Sequence, residues 1–132
     1  MKLVVAGSRS LQINSSLIMG ALEAHNITGI EEIIEGGCPT GADSAAIKYL
    51  KLYNELMQGT GSHNQSPSVI KHTQVKADWD KHGKAAGPIR NKEMAELGDS
   101  LLLIWDGESR GSASMKKCMQ DLGKPIYEVI LK

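Results

Sequence analysis

The sequence predicts an α/β fold, a Rossmann-like three-layer sandwich around a five-stranded parallel sheet of order 3-2-1-4-5. Three observations predict it. Short apolar runs alternate with segments of helical periodicity, the pattern left by right-handed βαβ crossovers. The two most apolar runs, Leu3-Val4-Val5-Ala6 and Leu101-Leu102-Leu103-Ile104-Trp105, are the first and fourth strands, so they belong side by side at the sheet centre. Glycine-bearing turns follow three of the strands: Gly7-Ser8-Arg9, Gly36-Gly37-Cys38-Pro39-Thr40-Gly41 and Gly107-Glu108-Ser109-Arg110-Gly111-Ser112.

The elements follow in order. After the first strand, Leu17, Ile18, Ala21 and Leu22 line one side of a helix. Ile30 to Glu35 forms the second strand, and Ala42, Ala46, Tyr49, Leu50 and Tyr53 recur at the spacing of a helix covering a sheet. The stretch 54–67 is polar and aperiodic, contains Gly59, Gly61, Ser62, Asn64 and Ser66, and reads as a flexible surface loop. Val69 to Val75 is the third strand, and Lys71, His72 and Gln74 make it polar enough for an edge. Pro88 suits the first turn of the next helix, which ends about Gly98, where glycine accepts the left-handed geometry common after a helix. Beyond the fourth strand, Met115, Cys118, Met119 and Leu122 share one helical stripe that closes at Gly123, and Pro125 introduces the last strand, Ile126 to Leu131. Residues 1–132 read as a single domain without internal repeats.

Bulk properties narrow the function classes. A chain of 132 residues can bury most of its apolar surface without disulfides or a structural metal. Fifteen basic residues balance fifteen acidic ones, and two tryptophans with three tyrosines offer little for base stacking, so nucleic acid is not the expected partner. Cys38 and Cys118 stand in no metal-ligand spacing, and no metal site is expected. The N-terminus enters a strand directly and no segment has the length of a membrane span, which leads to the expectation of a soluble cytoplasmic protein with reduced thiols.

Ligands of open α/β sheets sit at the carboxyl ends of the strands where the direction of winding reverses, here between strands one and four. The three glycine turns converge there and read as one phosphate-binding rim, because glycine lets backbone amides approach a ligand and helix N-termini carry unpaired N–H groups. Gly7, Ser8 and Arg9 are candidates for one part of the phosphate, with the Arg9 guanidinium suited to paired hydrogen bonds. Gly36, Gly37, Thr40, Gly41 and Asp43 are candidates for another, Thr40 and Asp43 also having the spacing of a capping box. Ser109, Gly111 and Ser112 close the pocket. The GxGxxG fingerprint is absent, Gly36-Gly37 stands where an acidic ribose contact is expected, and there is no GxxxxGK[ST] loop. These gaps argue against an ordinary NAD-dependent dehydrogenase and a standard ATPase or GTPase.

Taken together, Ala6-Gly7-Ser8-Arg9, the run from Gly36 to Asp43, Ala77-Asp78-Trp79, and Ala86-Gly87-Pro88-Ile89-Arg90-Asn91 with Met94 resemble the YspA, cpYpsA-related branch of the SLOG superfamily. The resemblance spans nearly the whole domain. It implies a Rossmann-like fold, a nucleotide or nucleotide-derived ligand, and association as a homodimer through helical faces. It also implies that Arg90 pairs with a phosphate or a helix-capping carboxylate and that Asn91 makes a directional hydrogen bond. Trp79 is open between stacking on a base and plugging the core, whereas Trp105, ending a buried strand, is expected to pack. The superfamily also contains LOG-type phosphoribohydrolases, marked by PGGxGTxxE; here Met115 stands at the position corresponding to that motif's glutamate, and a thioether cannot transfer a proton. The expected function is binding of a phosphorylated nucleoside, ADP-ribose-like or NAD-derived, as a sensor or sequestering module with no other cofactor required. The alternative is a nucleoside-phosphate N-glycosidase or nucleotide hydrolase in which Asp43, Asp78 or Asp106 replaces the missing glutamate.

Overall fold

The computed structural model describes residues 1–38, 40–59 and 69–131. In chain order these form β1 (Lys2–Gly7), α1 (Ser15–Ala24), β2 (Glu32–Glu35), α2 (Gly41–Gly59) and β3 (Lys71–Gln74). A one-turn helix α3 (Trp79–His82) and a 3-10 turn (Gly83–Ala85) then lead into α4 (Ala86–Leu97), β4 (Ser100–Trp105), α5 (Arg110–Asp121) and β5 (Ile126–Ile130). Every strand pairing is parallel and the sheet order is β3-β2-β1-β4-β5, as the sequence predicts.

Strand alternation divides the interior into two cores. Leu3, Val5, Ile33, Leu102 and Ile104 face α1 and α2, where Ile18, Leu22, Ala42, Ala46 and Leu50 meet them. Val4, Ala6, Ile34, Leu101, Leu103 and Trp105 point to the opposite face, against Met94 and Ala95 of α4 and Met115 and Met119 of α5. Both faces of β1 and β4 are therefore covered, which is why these strands read as unbroken apolar runs. β3 is the polar edge strand expected of it, with Lys71, His72 and Gln74 exposed.

Local chemistry sets the helix ends. Asn14 Oδ1 accepts the Leu17 amide and caps α1. α5 closes with Gly123 at φ 66°, donating to Gln120 O while Lys124 N donates to Met119 O, a Schellman motif at the glycine the sequence marks. Leu122 caps this end and is 48% exposed rather than part of the buried stripe. α4 stops before Gly98 for a different reason from the one expected. Gly98 is extended, not left-handed, and a Cβ there would overlap the Val4 side chain. Lys124 Nζ closes the same end by donating to Ala95 O, Glu96 O and Gly98 O.

Several expected boundaries move. β2 starts at Glu32 rather than Ile30, β3 spans Lys71–Gln74 rather than Val69 to Val75, and β5 ends at Ile130 rather than Leu131. Residues 54–59, read as the start of a loop, are the last turns of α2, and residues 60–67 of that expected loop lie outside the described residues. Asn54 supplies the cause: its Oδ1 accepts Ile70 N at 3.0 Å and its Nδ2 donates to Ile70 O at 3.1 Å, so the helix is held beside the approach to β3. Among the described residues no helix is long and apolar enough to cross a membrane.

Candidate functional site

β1 and β4 pair with Gly7 opposite Ile104, and their carboxyl ends open on a cavity of about 430 Å³ whose walls include Ser8, Arg9, Asp43, Arg90, Asn91 and Ser112. Gly7 makes the floor possible. A Cβ there would overlap the Ile104 carbonyl oxygen, which accepts the Ser8 amide at 3.2 Å. Ser8, 2% exposed, exchanges hydrogen bonds with Asp106: its hydroxyl donates to Oδ1 and accepts from the Asp106 amide, each at 3.2 Å. The same Oδ1 accepts the amides of Glu108 and Ser109, and these two bonds hold the Asp106 carboxyl below the usual carboxylate range. The first and third glycine turns are thus stitched to one another across the site. Arg9 leaves the floor with an exposed side chain whose guanidinium has no hydrogen bond or ion pair among the described residues.

The start of α5 forms the opposite wall. Ser109 caps it weakly, accepting the Ser112 amide at 3.4 Å, while Ala113 N donates to Ser109 O. The amides of Arg110 and Gly111 meet no protein acceptor among the described residues. Gly111 needs its small side chain for no protein contact, since a Cβ there would meet nothing within 4 Å. Ser112 is 3% exposed, and its Oγ has no hydrogen-bond partner among the described residues. Asn91, 5% exposed, fixes this wall to α4 by donating to Gly111 O at 3.3 Å and Ser114 Oγ at 3.4 Å. Met115, at the position matching the LOG glutamate, is buried in the wall between them.

Two amides of the second glycine turn do not face the cavity as expected. Gly37 N donates inward to Glu35 Oε2 and Cys38 N to Asp43 Oδ2 at 3.1 Å. Glu35, fully buried at the end of β2, also receives His72 Nε2 at 2.9 Å and Gln74 Nε2 at 2.7 Å. Two carboxylates therefore sit beneath this turn, where they oppose a bound anion. The capping box is not made in the expected form either: Asp43 reaches Cys38, and the Thr40 hydroxyl donates to Arg9 O at 3.0 Å, clasping the first turn to the second. Gly41 is at φ 72° with Ser8 O only 2.6 Å from a notional Cβ, so a side chain here would be driven into the first loop. Arg90 donates from Nη1 to Gly36 O at 2.8 Å and from Nε to Asn91 Oδ1 at 3.0 Å, so its expected capping partner is a carbonyl, not a carboxylate.

Burial pushes the Asp43 carboxyl from 3.8 up to about 6; the nearby Glu35 adds to the rise, while the Cys38 amide and Arg90 oppose it. The sign of the resulting pH dependence follows. Between about pH 4 and 6 the folded protein retains a proton that the unfolded chain has released, so this group's contribution to stability falls as pH rises through that window, by at most roughly 3 kcal/mol. Urea melts from about pH 4 to 7 should show a decline that Asp43→Asn, which keeps an oxygen for the Cys38 amide, largely removes. Parallel pH curves for the two proteins would refute the assignment.

A second cavity of about 420 Å³ shares Arg9, Cys38 and Arg90 with the first and extends past Gly36 and Gly37 to Trp79. A third, about 610 Å³, lies between the first loop and the start of α2, with Arg9, Thr40 and Gly41 in its walls. Arg9 is common to all three. Asp78 lines none of them: its Oδ1 accepts the Lys81 amide at 3.1 Å and caps α3. Trp105 packs as expected, 7% exposed, with Nε1 donating to Glu128 Oε2 at 2.6 Å. Glu35 was not singled out by the sequence reading, although an acid directly before Gly36-Gly37 was a signal that could have done so. Comparison of the chain with family models, curated proteins and solved structures finds no match.

Proposed function

We propose that the crevice between β1 and β4 binds the phosphate of a nucleotide-derived small molecule, ADP-ribose-like or NAD-derived, and that the protein is a sensor or sequestering module of the SLOG type. The observation that carries this reading is Ser112, a buried hydroxyl without a partner among the described residues, at the mouth of a twelve-residue helix whose first two amides are likewise free among them. Buried polar atoms are rarely left unpaired, and a phosphate oxygen would satisfy hydroxyl and amides together. Arg9 stands across the same cavity with its guanidinium uncommitted. The anion position moves accordingly, from all three turns to the first and third.

Calorimetry with ADP-ribose, AMP and ribose 5-phosphate tests the reading. Arg9→Ala is expected to weaken binding by about ten- to a hundredfold, the range for a charge-assisted hydrogen bond. Its melting temperature should not change, because the exposed Arg9 side chain holds no partner among the described residues. Failure of the native protein to bind any of the three compounds would overturn the proposal.

One observation favours a hydrolytic second reading. Asp43 lines the cavity with its carboxyl raised to about 6, a value suited to proton transfer near neutrality, whereas Asp106 is held ionised and Asp78 caps a helix elsewhere. Release of adenine from AMP, abolished in Asp43→Asn, is the result that would establish it.

A further inference from the structure

Trp79 is 51% exposed, an unusual state for the largest apolar side chain, and it lines the second cavity. Its ring is not loose. A Cβ at Gly87 would touch Trp79 Cη2 at 3.5 Å, so one edge of the indole rests on the first turn of α4 while the rest stays open. The turn Gly36-Gly37 forms another wall of this cavity and carries no side chain into it. Two of its amides and one carbonyl are already engaged: Gly36 O accepts from Arg90, Gly37 N donates to Glu35 and Cys38 N to Asp43.

These features differ in kind from those at the start of α5. There, free amides and a free hydroxyl await acceptor atoms. Beside Trp79, the amides of Gly37 and Cys38 are already satisfied and two carboxylates lie beneath them, so the cations Arg9, Lys76 and Arg90 in the wall gain no help from those two amides in holding an anion. A flat ring asks for what is present: an aromatic face, and a wall low enough for close approach.

We infer that the Trp79 cavity is a nucleobase subsite, in which the ring of the ligand stacks on the exposed indole while its phosphate occupies the α5 end of the adjoining cavity. This rests on the phosphate reading above and adds to it the place of the base and the residue that holds it. The ligand would pass Arg9, Cys38 and Arg90, the residues common to both cavities, at the ribose.

AMP and ribose 5-phosphate separate the two halves, since they differ by the base alone. Stacking on an aromatic contributes about 1–3 kcal/mol, so native protein is expected to bind AMP roughly ten- to a hundredfold more tightly than ribose 5-phosphate. Trp79→Ala should erase most of that difference and leave ribose 5-phosphate binding unchanged, while Trp79→Phe keeps part of it. AMP, but not ribose 5-phosphate, should also quench the emission of Trp79, read in a Trp105→Phe background. Ribose 5-phosphate binding with no preference for AMP, or a preference that survives Trp79→Ala, overturns the base subsite and spares the phosphate site. If neither of these compounds nor ADP-ribose binds, both readings fall.

Discussion

Ser112→Ala is expected to weaken phosphate binding about tenfold or more while leaving the unliganded protein at least as stable as the native one. The two effects have opposite signs because the hydroxyl has no protein partner to lose. A buried hydroxyl left unpaired costs about 1–3 kcal/mol, and alanine is the better helix former by a few tenths more, so removing it should raise the unfolding free energy by roughly 1 kcal/mol. In the liganded protein the same deletion removes a hydrogen bond to a charged oxygen, worth about 1.5–3 kcal/mol. Urea denaturation and calorimetry with ADP-ribose, run on the same preparation, give both numbers. A variant that binds as well as the native protein removes the central support for the proposed site, and one that loses stability shows that Ser112 has an internal partner after all.

Gly7→Ala should act in the reverse manner, through the fold. The added methyl would be driven into the Ile104 carbonyl oxygen, with the Ala42 Cβ only 3.0 Å from it on another side. Neither obstacle is the flexible end of a side chain. Ile104 belongs to the central strand pair, and its carbonyl is already the acceptor for Ser8 N. Overpacking of a core commonly costs 1–3 kcal/mol, and a clash with backbone belongs at or above the top of that range. For a domain of this size about 3 kcal/mol lowers the melting temperature by on the order of 10 °C or more. Loss of less than about 1 kcal/mol in urea melts would mean that β1 and β4 do not approach as closely as described.

The sheet could be read in advance because its information is one-dimensional: apolar runs, helical periodicity and a polar third strand are visible without knowing what touches what. The chemistry of the second turn could not be read that way. Gly36-Gly37-Cys38 has the composition of an anion nest whether its amides face outward or inward, and the direction is decided by Glu35 from the strand before and Asp43 from the helix after. Gly98 has the same ambiguity, since a glycine after a helix can serve a left-handed turn or, as here, make room for Val4. The true length of α2 was hidden because a polar, glycine-bearing stretch has no periodicity of its own, and the Asn54 clasp to Ile70 that holds it spans 16 positions. Asp78 looked like a rim residue by its neighbours in sequence, yet a short helix needed a cap and took it.

Arg90 joins parts that are far apart in the chain. From its guanidinium one bond runs to Gly36 O in the turn after β2, and another to Asn91, whose amide holds the first turn of α5 through Gly111 O and Ser114 Oγ. It works as a tie-rod, bracing both lobes of the crevice from the middle. Affinity lost on altering Arg90 would therefore confound two quantities, the attraction of a cation for phosphate and the alignment of the frame. Arg9, whose side chain has no partner among the described residues, measures the first by itself.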